Sequence, residues 1–239
     1  MLPTIEAVTV CVGYGDFLRA CIPHNLPHFK RWVIVTEASD EETRAACRGF
    51  GVECVLCEEK TREGEFSKGR LINRGLAHLS GYDWLLHLDA DVALPADFRQ
   101  VLVDAHLDEA CIYGCDRLNV KGYETWEKVK AKGLWCRSTP WSVNLARSNT
   151  SIGTRVANVH HGYTPIGFFQ LWHGGTFPDR RYPVHHGSAA RTDVAHALQW
   201  DRRQRILLPE VVVWHLESEA AKMGANWRGR ITIPFAPAP

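Results

Sequence analysis

The stretch WLLHLDADVALP, residues 84–95, places Asp89 and Asp91 two positions apart at the end of an apolar run. Residues i and i+2 of an extended segment point to the same side, so the two carboxylates can converge on one point. Two like charges that close need a cation, and hard oxygen ligands suit Mg²⁺ or Mn²⁺, ions that bridge to substrate phosphates. Strand-end aspartates also cap turns, and the pair alone does not separate the two interpretations.

The elements around this pair alternate between strand and helix. Apolar runs predict strands at 7–12, 32–37, 52–57 and 83–89. Helical patterns predict helices at 40–51, 68–80 and 96–107. This alternation is typical of the α/β class, with a mostly parallel sheet covered by helices on both faces. Ligands of such sheets bind beyond the carboxyl ends of the strands, which is where both aspartates fall.

Local signals predict where the helices begin and end. Ser39 followed by Glu42 is a capping-box pattern that predicts a helix start, and Gly51 suits the end of the same helix. Ser67 is expected to cap the next helix. Between the first two strands, Pro23 limits the prediction to at most a short, interrupted helix.

Length and composition indicate one large domain. The chain has 239 residues, of which 45% are hydrophobic and 23% charged, and this is enough for an ordinary core. No uncharged apolar run approaches the roughly 20 residues of a membrane span. The first residues, MLPTIEAVTV, lack the pattern of a signal peptide. We therefore expect a cytoplasmic protein without a membrane span.

The cysteines and the irregular middle of the chain carry weaker signals. Eight cysteines are scattered along the sequence. Cys54 and Cys57 are three positions apart on a predicted strand, so their thiols point to opposite faces, a poor geometry for zinc. Two His-His-Gly triplets, at 160–162 and 185–187, indicate polar loops, or else an acceptor cleft or metal site. After this irregular stretch the sequence predicts a helix at 192–200 and a strand at 206–216.

The stretch FSKGRLINRGLAHLSGYDWLLHLDADVALP, residues 66–95, resembles the donor-binding half of the GT-A glycosyltransferases. In that family a helix bearing Lys and Asn precedes the strand whose end carries the D-x-D, and the resemblance extends over residues 6–105. It implies a nucleotide-sugar donor, of which a UDP-sugar is favoured. The diphosphate of this donor would be held by Asp89 and Asp91 through Mn²⁺ or Mg²⁺.

The same resemblance assigns the residues around the nucleotide. It places Lys68 and Asn73 near the nucleotide. Thr36 and Glu37, at the end of the second strand, would border the base and the ribose together with the loop GYGD after the first strand. Tyr14 of this loop either stacks on the base or is an ordinary loop tyrosine.

Two residues of the second half complete the implied site. The family places a metal-ligating histidine late in the chain, and His215 in VVVWHLES stands there; the alternative is a half-buried strand histidine. In inverting members an aspartate near the start of a late helix accepts the proton of the acceptor hydroxyl. Asp193 matches that place, although Thr192 stands where an acidic residue usually precedes it. The alternative is an aspartate that only favours a helix N-terminus.

The resemblance therefore predicts a GT-A, Rossmann-like fold in a single domain over residues 1–239. Residues 1–115 would bind the nucleotide sugar, and the more irregular residues 116–239 would bind the acceptor. The Q-x-x-R-W pattern of processive relatives is not present in the sequence. We expect a single, inverting sugar transfer with Asp193 as catalytic base.

The second half of the chain is similar to small glycosyltransferases of phages and bacteria. Since phage enzymes of this kind can act on DNA, two classes of acceptor stay open. One is a hydroxymethylated pyrimidine in phage DNA, in a bacterium or a phage-infected host; the other is a glycan or small molecule. Interleaved tryptophans and clustered cations favour DNA, whereas the net charge of +1 opposes it. The clustered cations are Lys121, Lys128, Lys130, Lys132, Arg137, Arg202, Arg203, Arg205, Arg228 and Arg230.

Two other functions compete with glycosyl transfer as interpretations of the sequence. A nucleotidyltransferase would share the style of fold, the metal and the nucleotide, but it normally carries a Gly-rich signature after the first strand, and VGYGDF is not that signature. A non-catalytic nucleotide-binding or glycan-binding domain has no need to keep Asp89, Asp91 and His215 together.

Overall fold

The structure is a computed structural model that describes residues 3–57, 67–133, 150–152, 157–158, 162–179, 181–184, 189–218 and 232–237. Some residues singled out from the sequence lie outside these ranges. They are the histidines of both His-His-Gly triplets, Arg137, Arg228 and Arg230.

Strands and helices alternate through the first half of the described chain. The strands are β1 (Ile5–Val10), β2 (Arg31–Glu37), β3 (Glu53–Cys57), β4 (Trp84–Leu88), β5 (Val92–Ala93), β6 (Ile112–Lys121), β7 (Thr150–Ile152), β8 (Ala157–Asn158), β9 (Gly162–Tyr163), β10 (Phe169–His173) and β11 (Arg205–Glu217). The α-helices are α1 (Gly15–Asn25), α2 (Glu41–Phe50), α3 (Lys68–Leu76), α4 (Phe98–Asp104), α5 (Tyr123–Ala131) and α6 (Ala189–Ala197). Among these helices, none combines the length and apolar composition that crossing a bilayer requires.

One mixed sheet forms the centre of the described molecule. Its strand order is β3-β2-β1-β4-β10-β6-β11-β5, with β7 beside β6. Strands β3, β2, β1 and β4 are parallel to one another. Strand β10 is antiparallel to both β4 and β6, whereas β6 and β11 run parallel. The predicted α/β class is confirmed, with a Rossmann-like parallel half and a second half that adds antiparallel strands.

Helices cover both faces of the sheet, as predicted. Successive residues of a strand point to opposite faces and pack into separate hydrophobic clusters. Ala7 of β1 belongs to a cluster with residues of α1, α2 and α4. Val8, the next residue, belongs to a cluster with residues of α3 and α6. A third cluster joins α1 and α5 to β6 and β11 around Trp126 and Trp214. The opposite faces predicted for Cys54 and Cys57 follow the same division, since Cys54 packs on the first cluster and Cys57 on the second.

The strand directions gather the site residues at one edge. Strands β1, β2 and β4 run in the same direction, so their carboxyl ends lie together. Strand β10 runs opposite to both β4 and β6, and β6 and β11 therefore end at the same edge. The segment after β1, the end of β2, the D-x-D and the end of β11 all meet there.

Two helix starts test the capping predictions. Asp40 caps α2, and its carboxylate accepts a hydrogen bond from the Thr43 N–H at 3.1 Å. The prediction of Ser39 was wrong by one residue, because a turn that returns the Asp40 N–H to the Glu37 carbonyl at 3.0 Å delays the helix. Ser67 caps α3 as predicted and accepts from the N–H three residues later at 3.4 Å.

Helix α1 is longer than predicted, since it continues through Pro23 to Asn25. The missing N–H of Pro23 removes one backbone hydrogen bond near the end of the helix. Burial of Phe17, Leu18 and Ile22, none of which retains measurable exposure, outweighs that loss.

Helix α6 begins earlier than predicted, at Ala189 rather than near residue 192. Asp193 therefore lies in the second turn of the helix and not at its N-terminus. This weakens the interpretation in which Asp193 only stabilises a helix start, because that effect falls off beyond the first turn.

We expect Gly75→Ala to destabilise the fold, because α3 approaches the sheet closely at this residue. An added Cβ would lie 2.3 Å from Cγ2 of Val8 and 2.8 Å from Cγ2 of Val35. These β-branched side chains have little rotamer freedom, so the free energy of unfolding should fall by about 1–3 kcal/mol. The matched control is Gly49→Ala in α2, where an added Cβ would meet no atom within 4 Å. Its free energy of unfolding should rise by about 0.4–1 kcal/mol. Equal urea midpoints for the two variants would contradict the close packing.

Candidate metal and donor site

The D-x-D segment forms a tight turn between β4 and β5. The Val92 N–H donates to the Asp89 carbonyl at 3.3 Å. Neighbouring segments hold both aspartates by the backbone, since the Asp89 N–H donates to the Phe168 carbonyl at 3.2 Å and the Asp91 carbonyl accepts from the Leu216 N–H at 2.7 Å. Strand β4 ends one residue before Asp89, so both carboxylates lie beyond the carboxyl edge of the sheet.

Lys68, the first residue of α3, holds its ammonium between two carboxylates. Its Nζ lies 2.7 Å from Oδ1 of Asp89 and 3.3 Å from Oδ2 of Asp193. Burial of Lys68 opposes the charged form, but the two carboxylates outweigh it and raise the pKa of the ammonium above its usual value. Lys68 is thus a fixed positive charge that joins the end of β4 to α6.

Asp193 is the most buried carboxylate of this group, with a side chain 7% exposed. Burial raises the pKa of its carboxyl to about 6, against the opposing effect of Lys68. Its Oδ1 accepts no hydrogen bond from the described residues. Gly167 leaves the space for this carboxylate, because a Cβ on Gly167 would lie 1.7 Å from Oδ2. A carboxylate with a free oxygen and a raised pKa can accept a proton near neutral pH.

Asp91 and His215 form a second pair at the same edge. Nε2 of His215 lies 3.7 Å from Oδ1 of Asp91, and Nδ1 lies 3.7 Å from Oε1 of Glu217. Neither Oδ1 of Asp91 nor Nδ1 of His215 has a hydrogen-bond partner among the described residues. Burial raises the pKa of Asp91 more than the nearby imidazole lowers it. A positive ion beside Asp91 would relieve this cost.

The side chains present fit a divalent cation through Asp91 and His215. An orphaned buried carboxylate oxygen and an imidazole are ligand types that Mn²⁺ accepts. Asp89, the third expected ligand, directs Oδ1 to Lys68 instead. Within the described ranges, no three His, Cys, Asp or Glu side chains are gathered around one point as a metal site. Two protein ligands are nevertheless sufficient where substrate phosphates and waters complete the coordination.

Thr36 and Glu37, expected at the base and ribose, have different surroundings. Thr36 is fully buried, and its hydroxyl donates to the Asp40 carboxylate at 3.3 Å. Asp40 also accepts from the Gly13 N–H at 2.7 Å and from the Thr43 hydroxyl at 2.8 Å. Thr36 therefore helps to shape the segment after β1 through Asp40. Glu37 is partly exposed at the end of β2.

Asn73 and Tyr14, also expected near the nucleotide, are engaged with the protein itself. Nδ2 of Asn73 donates to the Tyr182 carbonyl and Oδ1 accepts from the Tyr182 N–H, both at 2.8 Å. Tyr14 is half-buried against the ring of Phe17, with ring centroids 5.4 Å apart. Asn73 thus ties α3 to residues 181–184, and the roles of both residues in nucleotide binding stay predictions.

Sequence reasoning missed Gln170, the buried residue of β10 that holds Asp193 in place. Its Nε2 donates to the backbone carbonyls of Asp193 and Pro165, each at 2.9 Å. Its Oε1 accepts from the Tyr182 hydroxyl at 2.6 Å. The available signal was a polar residue inside the apolar run FFQLW, because a buried amide needs hydrogen-bond partners.

His87 was missed for a similar reason, since it lies inside the apolar strand β4. It is fully buried, and its Nε2 lies 3.7 Å from Oδ1 of Asp89. Burial lowers the pKa of His87 well below its usual value, and Lys68 adds to this effect. His87 is therefore a neutral imidazole behind the Asp89 carboxylate.

A cavity of about 580 Å³ lies apart from these residues, between α1, α5 and residues 235–237. Tyr123, Trp126 and Phe235 contribute its aromatic lining. It shares no lining residue with the D-x-D, Lys68, Asp193 or His215.

Solved structures of one synthase share the fold. Glucosyl-3-phosphoglycerate synthase from Mycobacterium tuberculosis, in complex with Mn²⁺, UDP-glucose and phosphoglyceric acid, aligns with 89% of this chain and 71% of its own, at 15% identity and a TM-score of 0.54. The same enzyme with Mn²⁺, UDP and glucosyl-3-phosphoglycerate aligns with 90% of this chain and 70% of its own, at 13% identity and a TM-score of 0.52. Mannosyl-3-phosphoglycerate synthase from Rubrobacter xylanophilus aligns with 48% of this chain and only 40% of its own, at 18% identity. Its TM-score of 0.38 carries no argument.

These likenesses establish the fold alone, because the identities are low. The chain has the GT-A fold that the sequence analysis predicted. No protein-family model matches the sequence, and no curated protein is similar enough to be matched.

The raised pKa of Asp193 predicts a pH-dependent stability. The folded value of about 6 exceeds the ordinary 3.8, so the folded state binds more protons and loses stability as the pH rises from about 4 to about 6. The Asp193→Asn variant has no group at this position that titrates, so it should not lose this stability. Between pH 4 and pH 6 the free energy of unfolding of the variant, relative to that of the wild type, should rise by roughly 1–3 kcal/mol. Urea unfolding in EDTA at several pH values measures the difference. Parallel pH profiles for the two proteins would contradict the assignment.

Proposed function

We propose that the protein is a metal-dependent glycosyltransferase that moves one sugar from a nucleotide-sugar donor to a hydroxyl of an acceptor. The observation that carries this proposal is the meeting of Asp89, Lys68 and Asp193 with the pair Asp91 and His215 at the carboxyl edge of a GT-A fold. Residues 1–115 would supply most donor contacts, and residues 116–239 would supply the acceptor contacts.

The cofactor in this proposal is Mn²⁺ or Mg²⁺, held by Asp91 and His215 with Asp89 beside them. Such an ion supplies Lewis acidity that offsets charge on the departing nucleoside diphosphate. Oδ1 of Asp91 has no hydrogen-bond partner in the described residues, and Nε2 of His215 lies 3.7 Å from it, so one ion could contact both atoms. A UDP-sugar is the proposed donor, supported by the Mn²⁺ and UDP-glucose in the complex of the structurally similar synthase.

In this proposal Lys68 has an electrostatic role and Asp193 is the catalytic base. The Lys68 ammonium, fixed at 2.7 Å from Asp89, adds positive charge where the diphosphate would lie. Asp193 would accept the proton of the acceptor hydroxyl at its free Oδ1, because its raised pKa brings proton affinity closer to neutral pH. As Asp193 takes this proton, the acceptor oxygen would bond to the sugar on the face opposite the diphosphate, whose own bond to the sugar breaks, and this gives inversion.

A small-molecule acceptor is favoured over DNA. Arg205, one of the clustered cations, is 7% exposed and donates to the Thr164 hydroxyl at 3.2 Å, so it is not available to phosphates. Lys130 pairs with Glu127 on α5. The remaining described cations are spread over three places: Lys121 at the end of β6, Lys128 and Lys132 in and just after α5, and Arg202 and Arg203 before β11. The acceptor of the similar synthase, phosphoglyceric acid, is also small.

We expect UDP with Mn²⁺ to stabilise the wild-type protein and Asp91→Asn to lose this effect. A ligand at about 100-fold over its Kd adds about 2.7 kcal/mol to the free energy of unfolding. For a chain of this size this corresponds to a rise in Tm of roughly 5–10 °C. Asp83→Asn is the matched control, because Asp83 forms only an exposed ion pair with Lys30 at 3.4 Å. Equal shifts in Asp91→Asn and Asp83→Asn would remove Asp91 from the metal site.

The base assignment is tested by Asp193→Asn. We expect transfer from UDP-glucose to fall by about 10²–10⁴-fold, because the proton of the acceptor loses its base. The Tm shift produced by UDP and Mn²⁺ should persist. Product masses after incubation with phosphoglycerate, glycerol or hydroxymethylcytosine DNA identify the acceptor class. Full transfer by Asp193→Asn would exclude it as base.

The two other functions give different results in the same assays. A nucleotidyltransferase would release pyrophosphate from a nucleoside triphosphate and a sugar phosphate. A binding domain would show the Tm shift but would not hydrolyse UDP-glucose in the absence of acceptor. Either result would replace the proposed function.

A further inference from the structure

Strand β6 carries a row of polar side chains on the face that also bears His215. Arg117, Asn119 and Lys121 alternate with Leu118 and Val120, which belong to the third hydrophobic cluster. The register of β6 and β11 pairs Asn119 with the metal-ligand candidate His215. Paired residues of neighbouring strands lie on the same side of a sheet. The polar row of β6 therefore borders the candidate site.

Arg117 is held close to this site by an aromatic ring. Its guanidinium carbon lies 4.8 Å from the ring centroid of Phe168. The same ring meets the ring of His215 edge-on, with centroids 6.4 Å apart. The carbonyl of Phe168 accepts the hydrogen bond from the Asp89 N–H at 3.2 Å. The guanidinium of Arg117 is therefore linked to both Asp89 and His215 through a single residue, Phe168.

The polar groups of this row lack partners in the described part of the molecule. Arg117 makes no hydrogen bond or ion pair with a described residue, and its Nε is buried without a partner. The buried Oδ1 of Asn119 is also without a partner there. Buried polar groups are normally hydrogen-bonded, and an exception indicates an absent partner. Glu217 of β11 is an anion close to this row: contact with His215 lowers its pKa, and the charges of Lys121 and Arg117 lower it further.

We propose that Arg117 binds an anionic group of the acceptor, a phosphate or a carboxylate, and that Asn119 binds a neighbouring hydroxyl of the same molecule. This proposal rests on the proposed function and names the acceptor class of the same site. A guanidinium presents paired N–H donors that match the oxygens of either anion. The free Oδ1 of Asn119 is an acceptor and would bind a hydroxyl of the same ligand, and Lys121 adds positive charge at the open end of the row.

The position of β6 in the sheet assigns the anion to the acceptor and not to the donor. The loops expected to hold the nucleotide follow β1 and β2, on one side of Asp89. Strand β6 lies on the other side, two strands beyond β4, which is roughly 10 Å. With the nucleoside in those loops and the diphosphate at the metal, Arg117 would border the far side of the metal, where the second substrate approaches the sugar.

Calorimetric titration of the full chain with UDP and Mn²⁺ present tests this proposal. The probes are glycerol 3-phosphate, glycerate and glycerol, which carry a phosphate, a carboxylate and no charge. We expect at least one of the two anions to bind at least about tenfold more tightly than glycerol. Arg117→Gln should weaken that binding by at least about tenfold, Arg117→Lys should weaken it less, and the affinity for UDP should change by less than about twofold. Arg74→Gln, at an exposed arginine of α3, is the matched control.

The outcomes separate this proposal from the proposed function. Anions that bind no better than glycerol, or an Arg117→Gln variant that loses UDP instead of the anion, would overturn the acceptor assignment. A wild-type protein that binds neither UDP nor Mn²⁺ would overturn the proposed function, and the loss of anion binding in Arg117→Gln would still establish an anion site. If Arg117→Gln does not fold, Arg117→Lys and Asn119→Ala provide the same comparison.

Discussion

The candidate site depends on one buried ammonium. Lys68 lies between Asp89 and Asp193, and through these contacts it joins three elements that are far apart in the sequence, α3, β4 and α6. A charge this buried is tolerated only where opposite charges compensate it, and removal of one partner leaves the others uncompensated. The three side chains therefore act as one unit.

A second layer of hydrogen bonds fixes this unit in place. Gln170 binds the backbone of Asp193, Tyr182 binds Gln170 by its hydroxyl, and Asn73 binds the backbone of Tyr182. The chain of contacts leads from α6 through β10 back to α3, the helix that carries Lys68. Both ends of the buried ion group are thus attached to the same network. Catalytic groups need such support, because small displacements of a base or a charge are costly in rate.

Much of this arrangement follows from local sequence patterns, and the rest does not for identifiable reasons. The strand that ends in the D-x-D, the cap at Ser67 and the two faces of the sheet were predictable, because each depends on neighbours in sequence. The pairing of Lys68 with Asp193 was not, because it needs the path of the chain between residues far apart. The Asp89 carboxylate also turned to Lys68 and not to Asp91, since a nearby ammonium competes with the convergence that strand geometry allows. His87 lies in a predicted strand and Gln170 in a stretch without a predicted element, although the polarity of each inside an apolar run is itself a signal.

The strand order has a consequence for how the protein is assembled on the ribosome. Strand β6 leaves the exit tunnel long before β10, yet β10 must enter between β4 and β6. The parallel half can form early, but its β4 edge stays open until the later strand arrives. Open strand edges invite pairing with other chains, and non-local pairing of this kind is slow. A nascent chain of this protein would therefore carry an incomplete sheet for most of its synthesis, and the period before β10 docks is when chaperone protection matters most.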